Sequence, residues 1–170
     1  MKNKILMALT IMVLVSVGIA QAVPPAERET IFDVAISINE DSGEFSILIA
    51  ALQAANPVVI ETLDGNGQYT VFAPKDEAFV NLLGKLGLTA EELLAEEELV
   101  TQVLLYHVAH GRIYAEDVIE KERIRTLQRR FLYVDGTELT DNNGRTSNII
   151  LVDVEADNGV IHVIDTLVLP

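Results

Sequence analysis

The chain has 170 residues, with 26 Asp or Glu against 12 Lys or Arg and a net charge of −14. Such a surface repels nucleic acid and anionic lipid, and without cysteine there is neither a disulfide framework nor a thiol nucleophile. The fold must therefore stand on its core; a domain of about 150 residues manages this by burying roughly 70% of its unfolded surface, and one domain is the expected count.

Residues 1–22 have the three parts of a secretory signal: Lys2 and Lys4, an apolar run from Ile5 to Ala20, and the small-x-small site Ala20-Gln21-Ala22. The run is shorter than the roughly 20 residues a membrane span needs, so a soluble secreted or periplasmic protein starting near Val23 is expected. Cleavage removes two lysines and no acids, leaving ten cations against 26 acids, a net of −16. Residues 23–29, with Pro24-Pro25, read as a linker, and the domain proper occupies 30–170.

Thr30 is placed to cap a helix carrying Ile31, Val34, Ala35 and Ile38, which Asn39 to Gly43 should break. Phe45, Leu48, Ile49 and Leu52 mark a second helix, ending before Asn56-Pro57; Pro57 suits the first turn of a third, with Val58, Val59 and Leu63. Tyr69 to Ala73 is the first strand, ended by Pro74. Helical spacing returns at Ala78, Phe79, Leu82 and Leu83, closes at Gly84 and Gly87, and restarts after Thr89, three residues before Glu92 in a capping-box pattern. The longest helix is predicted from Glu97 to His107, with Gly111 as its stop. Beyond it the period shifts towards two: Ile113, Ile124–Leu127, Phe131–Val134, Ile149–Val154 and Val160–Val168 read as strands. Asn158-Gly159 predicts a type I′ hairpin turn. Helices first and strands later make an α+β layout.

Three blocks stand out: Tyr69-Thr70-Val71-Phe72-Ala73-Pro74-Lys75-Asp76-Glu77-Ala78-Phe79, then Leu104-Leu105-Tyr106-His107-Val108, then Asp157 to Pro170 with Asn158, Gly159, His162 and Asp165. In this order and spacing they resemble the motifs of the fasciclin (FAS1) domain family, over Thr30 to Pro170. The resemblance implies a FAS1-like wedge, with N-terminal helices packed on a twisted, mainly antiparallel sheet or sandwich. It also implies that Thr70, Phe72, Pro74, Asp76, Phe79, Tyr106, His107, Asn158, Gly159, His162 and Asp165 are structural. Lys75 departs from the family, which places a small hydroxyl or amide residue after Ala-Pro. Lysine cannot cap, so Asp76 is expected to serve the helix terminus or a histidine. Asp76, His107 and His162 are expected to converge and lock the wedge.

His107, His110 and His162 could in principle share a metal, but His110 falls at or past the helix end and His162 alternates with apolar neighbours in a strand; no metal or cofactor is expected. Asp64-Gly65-Asn66-Gly67 and Asp141-Asn142-Asn143-Gly144 lack the spacing and closing glutamate of a calcium loop and read as turns. Glu91, Glu92, Glu96, Glu97 and Glu98 form a solvated acidic helix start. No nucleophile elbow or phosphate loop is present, and no enzymatic activity is expected. Arg112, Lys121, Arg123, Arg125, Arg129, Arg130 and Arg145 hold seven of the ten mature cations. Arg112, Arg123, Arg125, Arg129 and Arg130 are the candidate binding face, for a polysaccharide or protein of the cell surface or matrix.

The resemblance implies extracellular adhesion. Val152-Asp153-Val154-Glu155 stands where animal members carry integrin-contacting motifs, but it lacks their flanking proline and final apolar residue, and integrin binding is not carried over. Some relatives hold apolar pigments or lipids, and the aliphatic helices from Phe32 to Leu63 make such a carrier the alternative expectation. The protein is expected to be a monomer or to self-associate weakly.

Overall fold

A computed structural model describes residues 28–170. The expected signal, 1–22, and most of the linker lie outside the described residues. Thr30 caps α1 (Ile31–Ser42) through a reciprocal box with Asp33, the hydroxyl accepting the Asp33 N–H and the carboxylate accepting the Thr30 N–H. The helix runs through Asn39, where a break was expected, because Glu40, Asp41 and Ser42 stay exposed and leave nothing polar to bury. Gly43, at φ 69°, is the actual stop, its N–H returning to Asn39 O. Helices α2 (Ser46–Ala54) and α3 (Val58–Asp64) follow, then β1 (Tyr69–Pro74) and α4 (Asp76–Leu86). Thr89 and Glu92 form the second capping box, opening α5 (Ala90–Leu94).

The next helix, α6 (Glu97–Tyr106), does not reach Gly111. The chain turns at His107 and Val108–His110 becomes β2, paired antiparallel with β1. Val108 and Ala109 are buried there, and burial against a neighbouring strand outweighs local helical spacing. Ile113 lies in no strand, and a short helix, α7 (Ala115–Ile119), follows it. Then come β3 (Arg123–Arg125), β4 (Phe131–Asp135), β5 (Glu138–Thr140), β6 (Thr146–Ala156) and β7 (Gly159–Ile164). The last strand ends short of Val168, where Asp165 turns to accept the Asn148 N–H at 2.8 Å.

Among the described residues seven strands form one mixed sheet in the order β2-β1-β7-β6-β5-β4-β3, with β1 and β7 the parallel pair among antiparallel neighbours. Its two edges then meet: Ala109 of β2 bridges Thr126 just past β3, and the Leu127 N–H donates to Val108 O at 2.7 Å. Closure removes exposed strand edges and gives an α+β wedge with a barrel-like sheet. Alternation along β1 and β7 divides the core. Val71, Ala73, Ile161 and Val163 pack with the helices, while Phe72 and Ile164 join Tyr106, Leu132 and Leu139 in a second cluster.

Candidate functional site

The motif side chains build a hub where the helices meet β1 and β7. Asn158 is buried, and its Oδ1 accepts the Ile31 N–H at 2.7 Å while its Nδ2 donates to Leu63 O at 2.7 Å and Gly65 O at 2.9 Å. One amide thus ties the start of α1 to the end of α3. Its own carbonyl accepts the Tyr69 N–H at 3.1 Å, anchoring β1. The expected type I′ turn is not what forms here. Asp157 and Asn158 make a two-residue loop closed by the Ala156–Gly159 pair, and neither Asn158 nor Gly159 has a positive φ. Gly159 serves instead as a close-approach residue, since a Cβ there would lie 2.1 Å from Tyr69 O.

Asp76 does not join the histidines. Its carboxylate accepts the Ser46 and Ile47 N–H groups at 3.1 and 2.8 Å, capping α2, whose own N-cap residue, Phe45, offers no side-chain acceptor. Lys75, the N-cap of α4, makes no side-chain cap and instead pairs with Glu44 at 2.8 Å across a wet surface. Pro74 closes β1 against Ile164, and Phe79 anchors α4 in the core.

Phe72 lies at the junction of the other motif residues. Its N–H donates to His107 O at 2.9 Å, and its ring stacks on His162 across the parallel pair, centroids 5.6 Å apart. His162 is satisfied on both sides. Nδ1 accepts the Asp153 N–H at 3.3 Å, so Nε2 carries the proton and donates to Ile113 O at 2.8 Å. Thr70 donates to Gly111 O at 2.7 Å and accepts the Ile113 N–H at 2.8 Å, holding the β2–α7 connection. The Tyr106 hydroxyl donates to Phe131 O at 2.8 Å, and burial pushes its pKa up to about 12. Burial would raise Asp165 as well, but hydrogen bonds from Asn148, Thr166 and Ser147 outweigh it and hold the carboxyl below its ordinary range.

His107 is different. Nδ1–H donates to Val103 O at 2.7 Å, while Nε2, buried, has no partner among the described residues. Burial lowers its pKa from 6.5 to about 4, the Val103 hydrogen bond opposing this only partly. The unfolded chain therefore takes up the proton first as pH falls, and folding stability present above pH 6.5 is lost towards pH 4. The loss should reach about 3 kcal/mol. Urea midpoints measured across that window should show the slope in the wild type and a flatter line in His107→Gln; parallel lines would refute the assignment.

Asp141, read from sequence only as a turn residue, is a buried anchor. Its carboxylate accepts the N–H groups of Asn143, Arg145 and Leu169 and a hydrogen bond from the Arg145 guanidinium at 2.9 Å. Burial pushes it up, and these four donors more than reverse that. Asp153 was also missed. It sits at φ 57° in a bulged part of β6, and its carboxylate caps α7 through the Ala115 N–H at 2.9 Å. Neither role leaves a local signal, because every partner but the Asp141 turn is distant in sequence.

The basic face is narrower than the sequence suggests. Lys121, Arg123, Arg125 and Arg129 line an open cleft of about 610 Å³ with His110, over a floor of Ile113, Ile124, Thr126 and Leu127. It lies along the seam where β2 meets β3. No acid lines it, and none of its four cations forms an ion pair among the described residues. Arg123 lies 4.5 Å from the centre of the Phe131 ring, and Arg129 is held at φ 72°, a conformation costing a non-glycine residue roughly 1 kcal/mol. Arg112 falls outside the cleft lining because its guanidinium is spent on Gln68, Ala156 O and Asp157 O. Arg145 is bound to Asp141, and Arg130 contributes its carbonyl to Thr126 without lining the cleft. Among the described residues no group of three or more His, Cys, Asp or Glu could hold a metal ion.

A helical layer on a closed mixed sheet, pinned by motif side chains that satisfy backbone groups, defines the class of domain. The family profile of the fasciclin domain matches residues 43–170, and the chain belongs to that family. It is 33% identical to the uncharacterized protein sll1735 of Synechocystis sp., over 80% of this chain and 96% of the relative. It is 38% identical to protein sll1483 of the same organism, over 74% of this chain and 67% of the relative. The fold is similar to the FAS1 domain pair of the insect cell adhesion molecule fasciclin I, at TM-score 0.60 and 20% identity, over 75% of this chain and 46% of that one.

Proposed function

We propose that this domain is a non-catalytic extracellular binding module, acting in the adhesion class, whose partner is an anionic polymer of the cell surface or matrix. The observation that carries the reading is the seam cleft. Four cations unneutralised by any lining acid, in a chain of net charge −14, give a local field opposite to that of the rest of the surface. Self-repulsion among Lys121, Arg123, Arg125 and Arg129 is relieved when an anion enters, and the apolar floor lowers the local dielectric. The similarity to an insect adhesion molecule supports the class, and the secretory signal read at residues 1–22 supports the location. Adhesion needs no proton transfer or nucleophile, so motif residues committed to holding backbone groups, such as Thr70, Asn158 and His162, suit it.

The test is binding of the mature protein to polygalacturonate and dextran sulfate, with neutral dextran as control, at low and physiological salt. Anionic polymers should bind, more weakly as salt rises. The double variant Arg125→Glu with Arg129→Glu should weaken binding at least about tenfold. Equal binding to neutral dextran, or an unaffected double variant, would overturn the proposal.

A further inference from the structure

Three Asn-Gly pairs stand in the chain, at 66–67, 143–144 and 158–159. Glycine has no Cβ to shield its own backbone nitrogen, and that nitrogen can close on the preceding asparagine side chain, so each pair is a place where an amide is readily lost to hydrolysis. The fold separates the three. Asn158 is buried and fully engaged, its Oδ1 accepting the Ile31 N–H and its Nδ2 donating to Leu63 O and Gly65 O. Asn143 is exposed, but Asp141 pins its turn: the Asn143 and Arg145 N–H groups donate to the carboxylate, and the Gly144 N–H, the nitrogen that would attack, donates to Asp141 O at 3.1 Å.

Asn66 differs on each count. It is exposed in the bend between α3 and β1, and neither its Nδ2 nor the Gly67 N–H has a hydrogen-bond partner among the described residues. Its Oδ1 accepts from Nη1 of Arg28, whose Nη2 donates to Gly65 O at 2.7 Å. A side chain at position 67 would strike the Tyr69 ring, which keeps glycine beside this amide.

We propose that Asn66 is a site of spontaneous deamidation in the folded protein and that Arg28 promotes it. The Gly67 nitrogen gives its proton to water and attacks Asn66 Cγ; the new C–N bond forms, the Cγ–Nδ2 bond breaks, and Nδ2 takes up protons from water and leaves as ammonium. Water then opens the cyclic imide at Cγ, giving aspartate, or at the main-chain carbonyl, giving isoaspartate. In sum an amide and a water become a carboxylate and an ammonium ion. The Arg28 guanidinium draws electron density from Cγ through Oδ1 and stabilises the negative charge that builds on that oxygen during attack. It then faces the new carboxylate as an ion-pair partner.

The product reaches the Asn158 hub. Asn66, Gly67 and Gln68 bridge two points that Asn158 holds, since Gly65 O accepts its Nδ2 at 2.9 Å and the Tyr69 N–H donates to its carbonyl at 3.1 Å. Gln68 O is tied as well, accepting the Gly111 N–H at 2.8 Å. Isoaspartate routes the main chain through Cγ and adds a carbon to this tethered span, whereas aspartate adds charge alone. The isoaspartate form therefore loosens the tie between α3, β1 and the last hairpin. None of this depends on the basic cleft or on what it binds.

The experiment ages the mature protein at physiological temperature and pH and follows the three asparagines by peptide mapping, with electron-transfer fragmentation to separate aspartate from isoaspartate. Asn66 should convert at least about tenfold faster than Asn143, a barrier difference of about 1.4 kcal/mol, and Asn158 should not convert while the chain is folded. In urea, where no turn is held, the three rates should fall within a few-fold of one another. Arg28→Ala should slow conversion at position 66 several-fold and leave Asn143 unchanged. Aged protein enriched in isoaspartate should unfold at lower urea than Asn66→Asp, which carries the charge without the added carbon. Asn143 converting as fast as Asn66, or the same ranking persisting in urea, would overturn the site; an undiminished rate in Arg28→Ala would overturn the role of Arg28; equal urea midpoints for the aged protein and Asn66→Asp would overturn the link to the hub.

Discussion

Replacing Asn158 with alanine is expected to lower the unfolding free energy by about 3–5 kcal/mol, read from urea denaturation of the mature protein. The side chain is buried and satisfies three backbone groups at once, the Ile31 N–H and the carbonyls of Leu63 and Gly65. Each group left without a partner costs about 1–3 kcal/mol, with some relief where Gly65 can reach water. A domain of this size has a total stability of about 5–15 kcal/mol, so the variant should sit near the edge of folding. Asn158→Asp is the informative companion: it retains the acceptor for Ile31 but turns two donors into an anion facing two carbonyls, and should be no better than alanine. A loss under about 1 kcal/mol in Asn158→Ala would show that the hub does not carry the fold.

Gly159→Ala is expected to destabilise by at least about 3 kcal/mol or to prevent soluble expression. Its φ is not in the left-handed region, so the penalty is purely one of space. The new methyl would lie 2.1 Å from Tyr69 O and 2.5 Å from Ile31 Cδ1, and the first of these is backbone, fixed by the parallel pairing of β1 with β7. Only separation of those strands relieves it, a costlier response than the usual 1–3 kcal/mol of core overpacking. Gly136→Ala makes the opposite control. There φ is 61° and nothing lies within 4 Å of the added carbon, so a loss of only about 1 kcal/mol from backbone strain is expected. If the two variants proved equally stable, close approach would not be the reason for glycine at 159.

Much of the helical layer was legible because its signals are short. Thr30 and Thr89 cap helices through residues three positions away, and the spacing of Phe45, Leu48 and Leu52 follows from the helical repeat. Errors collect where a distant partner outbids a local preference. Val108–His110 looked like the end of a helix and became a strand because β1 offered it both burial and hydrogen bonds. The Asn-Gly pair looked like a hairpin turn in its own right, yet both residues answer to groups elsewhere in the chain. The expected meeting of Asp76, His107 and His162 reduces to the two histidines flanking Phe72, since Asp76 is committed to α2.

The binding face shows the same division. The sequence revealed that cations concentrate in the second half, but Arg112 and Arg123 look alike in sequence. One is spent on backbone carbonyls near the last hairpin while the other faces a cleft. From the residues alone came the charge balance, the α+β order, the capped helices and the three motif blocks, all set by composition or by neighbours within one helical turn. The closed sheet, the role of each motif side chain, the sorting of the arginines and the His107 nitrogen left without a partner among the described residues were decided only in three dimensions. Each depends on a contact between segments tens of residues apart, and local propensity carries no information about those.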